Sequence, residues 1–257
     1  WYAVKDVSLD GRSLDNLNLW NFKRTRGYLS DGATRDRLLW TGDIGFASRN
    51  IYYALDPKYI RSSLYMMMQN QTDEGYVNPS PYPANDRIPS TDDYGPFPSA
   101  EFSAWFTPIV AEYVAFTGDR TAAADTFRAV EKNLQFIARD IDPEDGLFRI
   151  APALSKTVFV LSLGEGGKCA YTNTLVYLAF KSGAYLAEFL GEEPQAEAWN
   201  KRAQALKHAI LTHLFDRNRN TLIDRIGNSD SAEFANALGT LCGLFDAETA
   251  DKLPLDC

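Results

Sequence analysis

Residues 31–43, with the sequence D-G-A-T-R-D-R-L-L-W-T-G-D, hold the side chains of this chain that are best suited to chemistry. They combine three carboxylates, two guanidiniums and one indole. A sugar site needs carboxylates that bind hydroxyl groups, an aromatic surface for the C–H face, and a carboxyl of raised pKa that protonates a departing oxygen. The stretch therefore predicts a carbohydrate site. A solvated charge cluster that only fixes a loop fits these residues equally well, because ion-pair networks also collect charged side chains.

The same stretch borders a predicted helix. Apolar residues recur at helical spacing over residues 44–55. Thr41 can accept backbone N–H bonds as the N-cap, and Asp43 in the first turn meets the positive end of the helix dipole. We therefore expect the carboxylates of this stretch to flank the start of a helix.

Further along the chain, N-cap residues, apolar stripes and C-terminal glycines predict seven more helices. They come in pairs about every 60 residues, with turns inside each pair and longer loops between pairs. Inner helices of such hairpins form a core barrel, and the loops at one end build the site. The pattern predicts an all-α toroid of at most four hairpins in this chain. Six of these helices start at Asp56, Ser99, Thr172 or Asn173, Pro194, Ser231 and Asp246, and one follows directly after Gly118. Gly118 and Gly191 are the predicted ends of the helices that start at Ser99 and at Thr172 or Asn173, and we expect a kink or a restart at Pro108 with Thr107 as the new cap.

The segment 72–98 holds six of the twelve prolines of the chain, amid Asp, Asn, Ser and Tyr. This composition predicts a long ordered loop, and such loops in a helical domain tend to be functional. Residues 1–30 alternate apolar and polar positions and are expected to pack as a lead-in segment against the barrel. The hydrogen-bonding and stacking candidates of the loop are Tyr76, Tyr82, Asp92, Asp93 and Tyr94.

Residues 31–43 resemble the signature of the α-L-rhamnosidases of glycoside hydrolase family 78 and their six-hairpin relatives. The usual form of that signature is D-x-x-x-R-(E/D)-R-x-x-W-x-G-D, and seven constrained positions match it here. The resemblance implies an (α/α)6 barrel that releases terminal α-L-rhamnose with inversion and needs no cofactor.

The resemblance also implies roles for single residues. Asp36 stands at the position of the general acid, which is usually Glu, and its shorter side chain sets the carboxyl back by one methylene. Because a guanidinium beside Asp36 lowers the pKa of its carboxyl, the acid role requires burial that outweighs this pairing. Core packing of Trp40 is as well supported as sugar contact. The implied sugar-binding residues are Asp31, Arg35, Trp40, Asp43 and Trp105, with Arg37 holding neighbouring carboxylates in register.

The general base of the family is a Glu in a late Trp-Glu motif. None of the five tryptophans of this chain is followed by Glu. The resemblance covers the whole chain but only about the first two-thirds of a family catalytic domain. We therefore expect residues 1–257 to be a partial catalytic domain that lacks the last hairpins and the base, although Glu165 or Asp93 is an alternative base.

Composition restricts the partners. A net charge of −8 without runs of like charge argues against nucleic acid and anionic membranes and leaves a neutral or cationic small molecule as partner. The resemblance implies that this partner is a carbohydrate. Three cysteines and two histidines without metal-ligand spacing predict no metal site. Cys242 and Cys257 either form a disulfide or remain buried free thiols. We expect a secreted, extracellular glycosidase, and the alternatives are action on another sugar linkage, a lyase, or a non-catalytic carbohydrate-binding fragment.

Overall fold

A computed structural model describes residues 3–5, 8–9, 12–13, 28–30, 39–81, 98–155, 167–228 and 230–253. These residues form mainly helices, which confirms the predicted all-α class. The helices are α1 (Thr41–Ala54), α2 (Lys58–Gln69), α3 (Ala100–Ala104), α4 (Phe106–Thr117), α5 (Arg120–Ala138), α6 (Ala170–Leu190), α7 (Glu193–His213), α8 (Glu233–Cys242) and α9 (Ala247–Asp251).

The strands are short and pair antiparallel: β1 (Ala3–Lys5) with β4 (Tyr28–Ser30), β2 (Ser8–Leu9) with β3 (Arg12–Ser13), and β5 (Phe215–Asp216) with β6 (Thr221–Leu222). Strand β4 lies against α2. Leu29 in this strand is fully buried, and its backbone N–H donates to the Ser63 hydroxyl at 3.1 Å.

The long helices pack in two layers. Helices α1, α4, α6 and α8 contact one another in chain order and form the inner layer, and α2, α5 and α7 pack behind them. Apolar side chains from both layers form one continuous core. The inner helices begin after long connections, whereas each inner helix is joined to the next outer one by two to four residues. The predicted order of short turns and long loops is therefore confirmed for the described helices.

The start of α1 differs from the prediction. Thr41 is the first helical residue, and Trp40 occupies the N-cap position without a side-chain capping bond. The Thr41 hydroxyl donates instead to the carbonyl oxygens of Asn78 and Pro79, and its backbone N–H donates to Pro79 at 2.8 Å. The predicted N-cap role of Thr41 is wrong, because a long-range partner engages its hydroxyl. The prediction of Asp43 in the first turn is confirmed.

The third predicted helix is split at Trp105 into α3 and α4. Ser99 caps α3 as predicted, since its hydroxyl accepts the N–H of Phe102 at 3.2 Å. The break lies three residues before Pro108, because a proline has no N–H to offer the carbonyl oxygen of Ala104. Thr107 lies inside α4, so its predicted capping role is wrong.

Helix α6 begins before the predicted start at Thr172 or Asn173. The sulfur of Cys169 acts as the N-cap and accepts the Thr172 N–H at 3.4 Å. The Asn173 side chain instead binds the backbone of Phe148, accepting its N–H at 2.7 Å and donating to its carbonyl at 3.0 Å. Helix α6 is thereby tied to the segment that follows α5.

The predicted turn at residues 142–146 is confirmed, and ion pairs stabilise it. The Lys168 ammonium donates to the carboxylates of Asp142, at 2.7 Å, and of Asp145. Hydrogen bonds, first of all the one from Lys168, hold the pKa of Asp142 well below its usual range. The charge cluster ties the turn after α5 to Lys168, two residues before α6.

Candidate functional site

The N-terminal ends of the inner helices meet at one end of the two-layer structure. Since an outer helix returns the chain between consecutive inner helices, all inner helices start at the same end. Contacts between these starts confirm the arrangement. The Trp40 and Phe102 rings touch edge to face at 5.9 Å, the Trp105 indole N–H donates to the Tyr171 hydroxyl, and the Ala170 N–H donates to the Asp224 carbonyl. We call this end the loop face, because the long connections enter the inner helices there.

Trp40 is largely a packed residue. Its side chain is 8% exposed and stands edge to face with Phe102 at the start of α3. Burial of this extent leaves little of the indole accessible. Core packing, one of the two predicted roles of Trp40, is therefore observed, while sugar contact remains a prediction.

Asp43 lies in the first turn of α1 and is half-buried. The other candidates of the signature, Asp31, Arg35, Asp36 and Arg37, lie outside the described residues, as do Glu165, Tyr82, Asp92, Asp93 and Tyr94. Their predicted roles remain predictions. Residue 39 is the first described residue after β4, so the signature leads directly into the loop face.

The glycines after Trp40 explain part of the signature. A Cβ at Gly42 would lie 2.8 Å from the Phe102 ring, and one at Gly45 would lie 2.4 Å from the Trp105 indole. Both glycines face α3 and let it approach the backbone of α1. Gly42, a constrained position of the signature, therefore has a packing role that sequence reasoning missed.

Trp105 occupies the break between α3 and α4 and is 5% exposed. Its indole packs on Gly45 and lies 4.9 Å, centroid to centroid, from the Phe46 ring. Its N–H donates to the Tyr171 hydroxyl at 3.3 Å. The indole is thus fixed by three neighbours from α1 and α6.

Two buried polar residues beside Trp105 were also missed. Glu101 in α3 is fully buried, and Tyr171 in the first turn of α6 is 3% exposed. The two side chains are close enough for the charge of Glu101 to act on the Tyr171 hydroxyl. Burial, followed by the charge of Glu101, raises the pKa of Tyr171 far above its ordinary value, so this hydroxyl stays protonated. Helical spacing places Glu101 one turn before Trp105, but no sequence signal links Glu101 to Tyr171 on α6.

Tyr76, a candidate from the predicted loop, is structural. It is fully buried, and its hydroxyl accepts the backbone N–H of Ser99 at 3.1 Å. Its ring packs near Phe136 at 5.5 Å. Tyr76 therefore supports the start of α3 and is not available to a ligand.

A cavity of about 570 Å³ runs along the inner helices from the loop face. Trp105 and Tyr171 line it near the helix starts, and Phe46 and Phe234, which are 41% and 55% exposed, line it as well. Deeper in the cavity, the Glu112 carboxylate accepts hydrogen bonds from Ser48 at 2.8 Å and from Arg49 at 3.2 Å. Aromatic rings beside a few fixed polar groups are typical of a small-molecule site.

The cysteines give no reactive or metal-binding centre among the described residues. Cys169 and Cys242 are buried and free, and burial raises the pKa of each thiol to about 11. Cys257 lies outside the described residues, so its predicted pairing with Cys242 stays a prediction. Across the described ranges, no group of three or more His, Cys, Asp or Glu side chains is placed to hold a metal ion. No described helix is long and apolar enough to cross a membrane.

Residues 12–253 match the family model of the bacterial α-L-rhamnosidase six-hairpin glycosidase domain. No curated protein matches the chain. Among solved structures, a family 78 rhamnosidase of Bacillus sp. GL1 is 19% identical with a TM-score of 0.72, over 87% of this chain and 23% of that one. A rhamnosidase from Klebsiella oxytoca with rhamnose bound is 18% identical with a TM-score of 0.71, over 97% of this chain and 48% of that one.

A solved structure from another glycosidase family is also similar to this chain, at lower identity. A family 63 mannosylglycerate hydrolase from Thermus thermophilus is 14% identical with a TM-score of 0.63, over 89% of this chain and 72% of that one. At such identities the similarity concerns the fold. The chain spans less than half the length of the two rhamnosidases.

Proposed function

We propose that this chain, which belongs to the family of bacterial α-L-rhamnosidase six-hairpin glycosidase domains, is part of an inverting glycoside hydrolase that releases terminal α-L-rhamnose. The observation that carries the proposal is the position of the last five residues of the signature, 39–43. It leads into the start of α1, where Trp40, Asp43 and Trp105 share one end of the inner layer with the open cavity. A terminal sugar can enter a site at the end of a helical barrel without threading a chain through it.

Inverting hydrolysis needs an acid at the glycosidic oxygen and a base on the opposite face of the sugar ring. Asp36 acts as the general acid and protonates the glycosidic oxygen, while a second carboxylate activates water on the opposite ring face. Inversion requires the two carboxyl groups to stand about 6.5–9.5 Å apart, which leaves room for that water. Asp31 and Asp43 accept hydrogen bonds from the sugar hydroxyls, and Arg35 holds the carboxylates in place.

The aromatic residues serve binding. The parts of Trp40 and Trp105 that remain exposed contact the C–H face of the ring, and burial of apolar area against an indole favours binding. The fixed orientation of Trp105 makes this surface rigid, so little entropy is lost when the sugar binds. No step of this mechanism requires a metal ion or cofactor.

The Asp36→Asn variant tests the acid assignment. In a longer chain that includes the general base, we expect this variant to bind L-rhamnose like the unchanged protein and to lose turnover of a nitrophenyl α-L-rhamnoside, because Asn cannot donate a proton in the same way. Asp251→Asn, at an exposed position of α9, is the matched control and should leave both measurements unchanged. Unchanged turnover in Asp36→Asn rejects the acid role, and the absence of both binding and turnover in the unchanged chain rejects the proposed function.

A second candidate keeps the fold and changes the sugar. It is favoured by the similarity to a mannosylglycerate hydrolase. Calorimetric titration with L-rhamnose, L-fucose and D-mannose separates the two. Preference for L-rhamnose supports the first candidate, and preference for D-mannose supports the second. Binding of L-rhamnose without turnover indicates a carbohydrate-binding role.

A further inference from the structure

The polar atom of the Trp105 side chain has a hydrogen-bond partner on a different inner helix. Its indole N–H donates to the Tyr171 hydroxyl at 3.3 Å. The two residues are 66 positions apart in the sequence. A bond over that separation fixes the indole relative to α6 and not only to its own helix.

The Tyr171 hydroxyl has a second role in the same contact. A phenol has one hydrogen to donate and oxygen lone pairs to accept with. The oxygen of Tyr171 accepts from the indole, which leaves its O–H to donate, and the buried Glu101 carboxylate beside it is a suitable acceptor. Since Glu101 is fully buried, its charge favours a strong bond from the phenol over exchange with water.

Helix α3 brings Glu101 and Trp105 to the same side of the helix. Glu101 and Trp105 are separated by one helical turn, and the Trp105 backbone N–H donates to the Glu101 carbonyl at 3.3 Å. Both side chains therefore face α6 from one side of α3. Tyr171 also meets the Phe234 ring of α8 edge to face at 6.5 Å, which restrains it from the other side.

We propose that Tyr171 is a positioning residue that, held by Glu101, sets the angle of the Trp105 indole for contact with the sugar. The identity of the ligand rests on the proposed function. The role of Tyr171 in orienting Trp105 is independent of it. The packing of the indole against Gly45 sets its depth, and the hydrogen bond to Tyr171 sets its rotation. Neither Glu101 nor Tyr171 needs to touch the sugar for this role.

The test uses Tyr171→Phe, which removes one oxygen and keeps the ring. Tyr177→Phe is the matched control, because Tyr177 lies on the same helix and its hydroxyl donates to the Gly243 carbonyl at 3.3 Å, near the opposite end of the inner layer. The indole N–H resonance of Trp105, assigned with Trp105→Phe, reports its hydrogen bond directly. We expect an upfield shift of that resonance in Tyr171→Phe and none in Tyr177→Phe.

Affinity for L-rhamnose gives the second readout. We expect Tyr171→Phe to weaken binding by about fivefold, the factor that one neutral hydrogen bond contributes to an equilibrium constant. In the double variant Tyr171→Phe/Trp105→Phe, binding should be no weaker than in Trp105→Phe, because Tyr171 acts through Trp105. Independent losses that multiply would overturn the proposal, as would an unshifted indole resonance in Tyr171→Phe.

The two ways of failing are distinguishable. If the unchanged chain does not bind L-rhamnose, the proposed function fails while the indole resonance still decides the positioning role. If Tyr171→Phe unfolds, Glu101→Gln is the second variant, since its amide oxygen still accepts the phenol hydrogen and keeps the indole in place. A Glu101→Leu variant removes that acceptor, and we expect it, unlike Glu101→Gln, to shift the Trp105 resonance.

Discussion

Replacing Gly45 by Ala tests the contact that sets the depth of Trp105. The added Cβ would lie 2.4 Å and 2.5 Å from two carbon atoms of the indole. Because carbon atoms pack at about 3.5–4.0 Å, the rigid indole has to move by about 1 Å. Its hydrogen bond to Tyr171, already 3.3 Å long, then lengthens or breaks.

The magnitude follows from two opposing effects. Overpacking of a close-packed contact costs about 1–3 kcal/mol. Replacing Gly by Ala inside a helix stabilises it by about 1 kcal/mol. We therefore expect Gly45→Ala to lower the free energy of unfolding by about 1 kcal/mol, which lowers Tm by about 2–4 °C for a chain of this size.

The assay combines urea denaturation with the Trp105 indole resonance and rhamnose affinity. Asn50→Ala is the control, since Asn50 lies exposed on the same helix and gains helix propensity without a clash. Gly45→Ala should be destabilised, with a shifted indole resonance and several-fold weaker binding. A Gly45→Ala variant that is as stabilised as Asn50→Ala and keeps the indole resonance would refute the packing argument.

Two further predictions concern charge and thiol chemistry. Because Lys168 holds the pKa of Asp142 low, the stabilisation is complete above the ordinary carboxylate pKa of 3.8 and is lost as pH falls below it. Lys168→Met should thus lower the free energy of unfolding most at pH 7, and a difference from the unchanged chain that stays constant down to pH 2 would contradict the ion-pair explanation. With a pKa of about 11 and little exposure, Cys169 and Cys242 should resist a thiol reagent at pH 8 in a Cys257→Ser variant until denaturant is added. Rapid labelling of both thiols in the native state would show that they are accessible thiolates.

Local rules predicted the helix ends whose caps are local. Ser99 and the left-handed glycines Gly118 and Gly191 stand where the sequence placed them, because each satisfies the backbone groups of its own helix. Thr41 and Cys169 did not follow these rules. The Thr41 hydroxyl binds carbonyl groups 37 and 38 positions away, and a cysteine sulfur is a rare N-cap.

The candidate site shows the same physical limit. The signature is a local cluster, so its residue types and its resemblance to a family predict sugar chemistry from the sequence, and the roles of its residues stay predictions. The buried pair of Glu101 and Tyr171 joins two helices across 70 positions of sequence, and nothing in either segment encodes that meeting. The packing roles of Gly42 and Gly45 could not be predicted either, because they depend on the rings of Phe102 and Trp105, which are distant in the sequence.

Chemical-shift mapping of L-rhamnose binding tests the central claim most directly. A titration followed by amide and indole resonances should perturb the loop face, at Trp40, Asp43, Trp105 and the start of α6. Resonances at the opposite end, around Gly118 and Gly191, should stay unchanged. Perturbations that cluster at that opposite end, or that are absent at saturating rhamnose, would contradict a sugar site at the N-terminal ends of the inner helices.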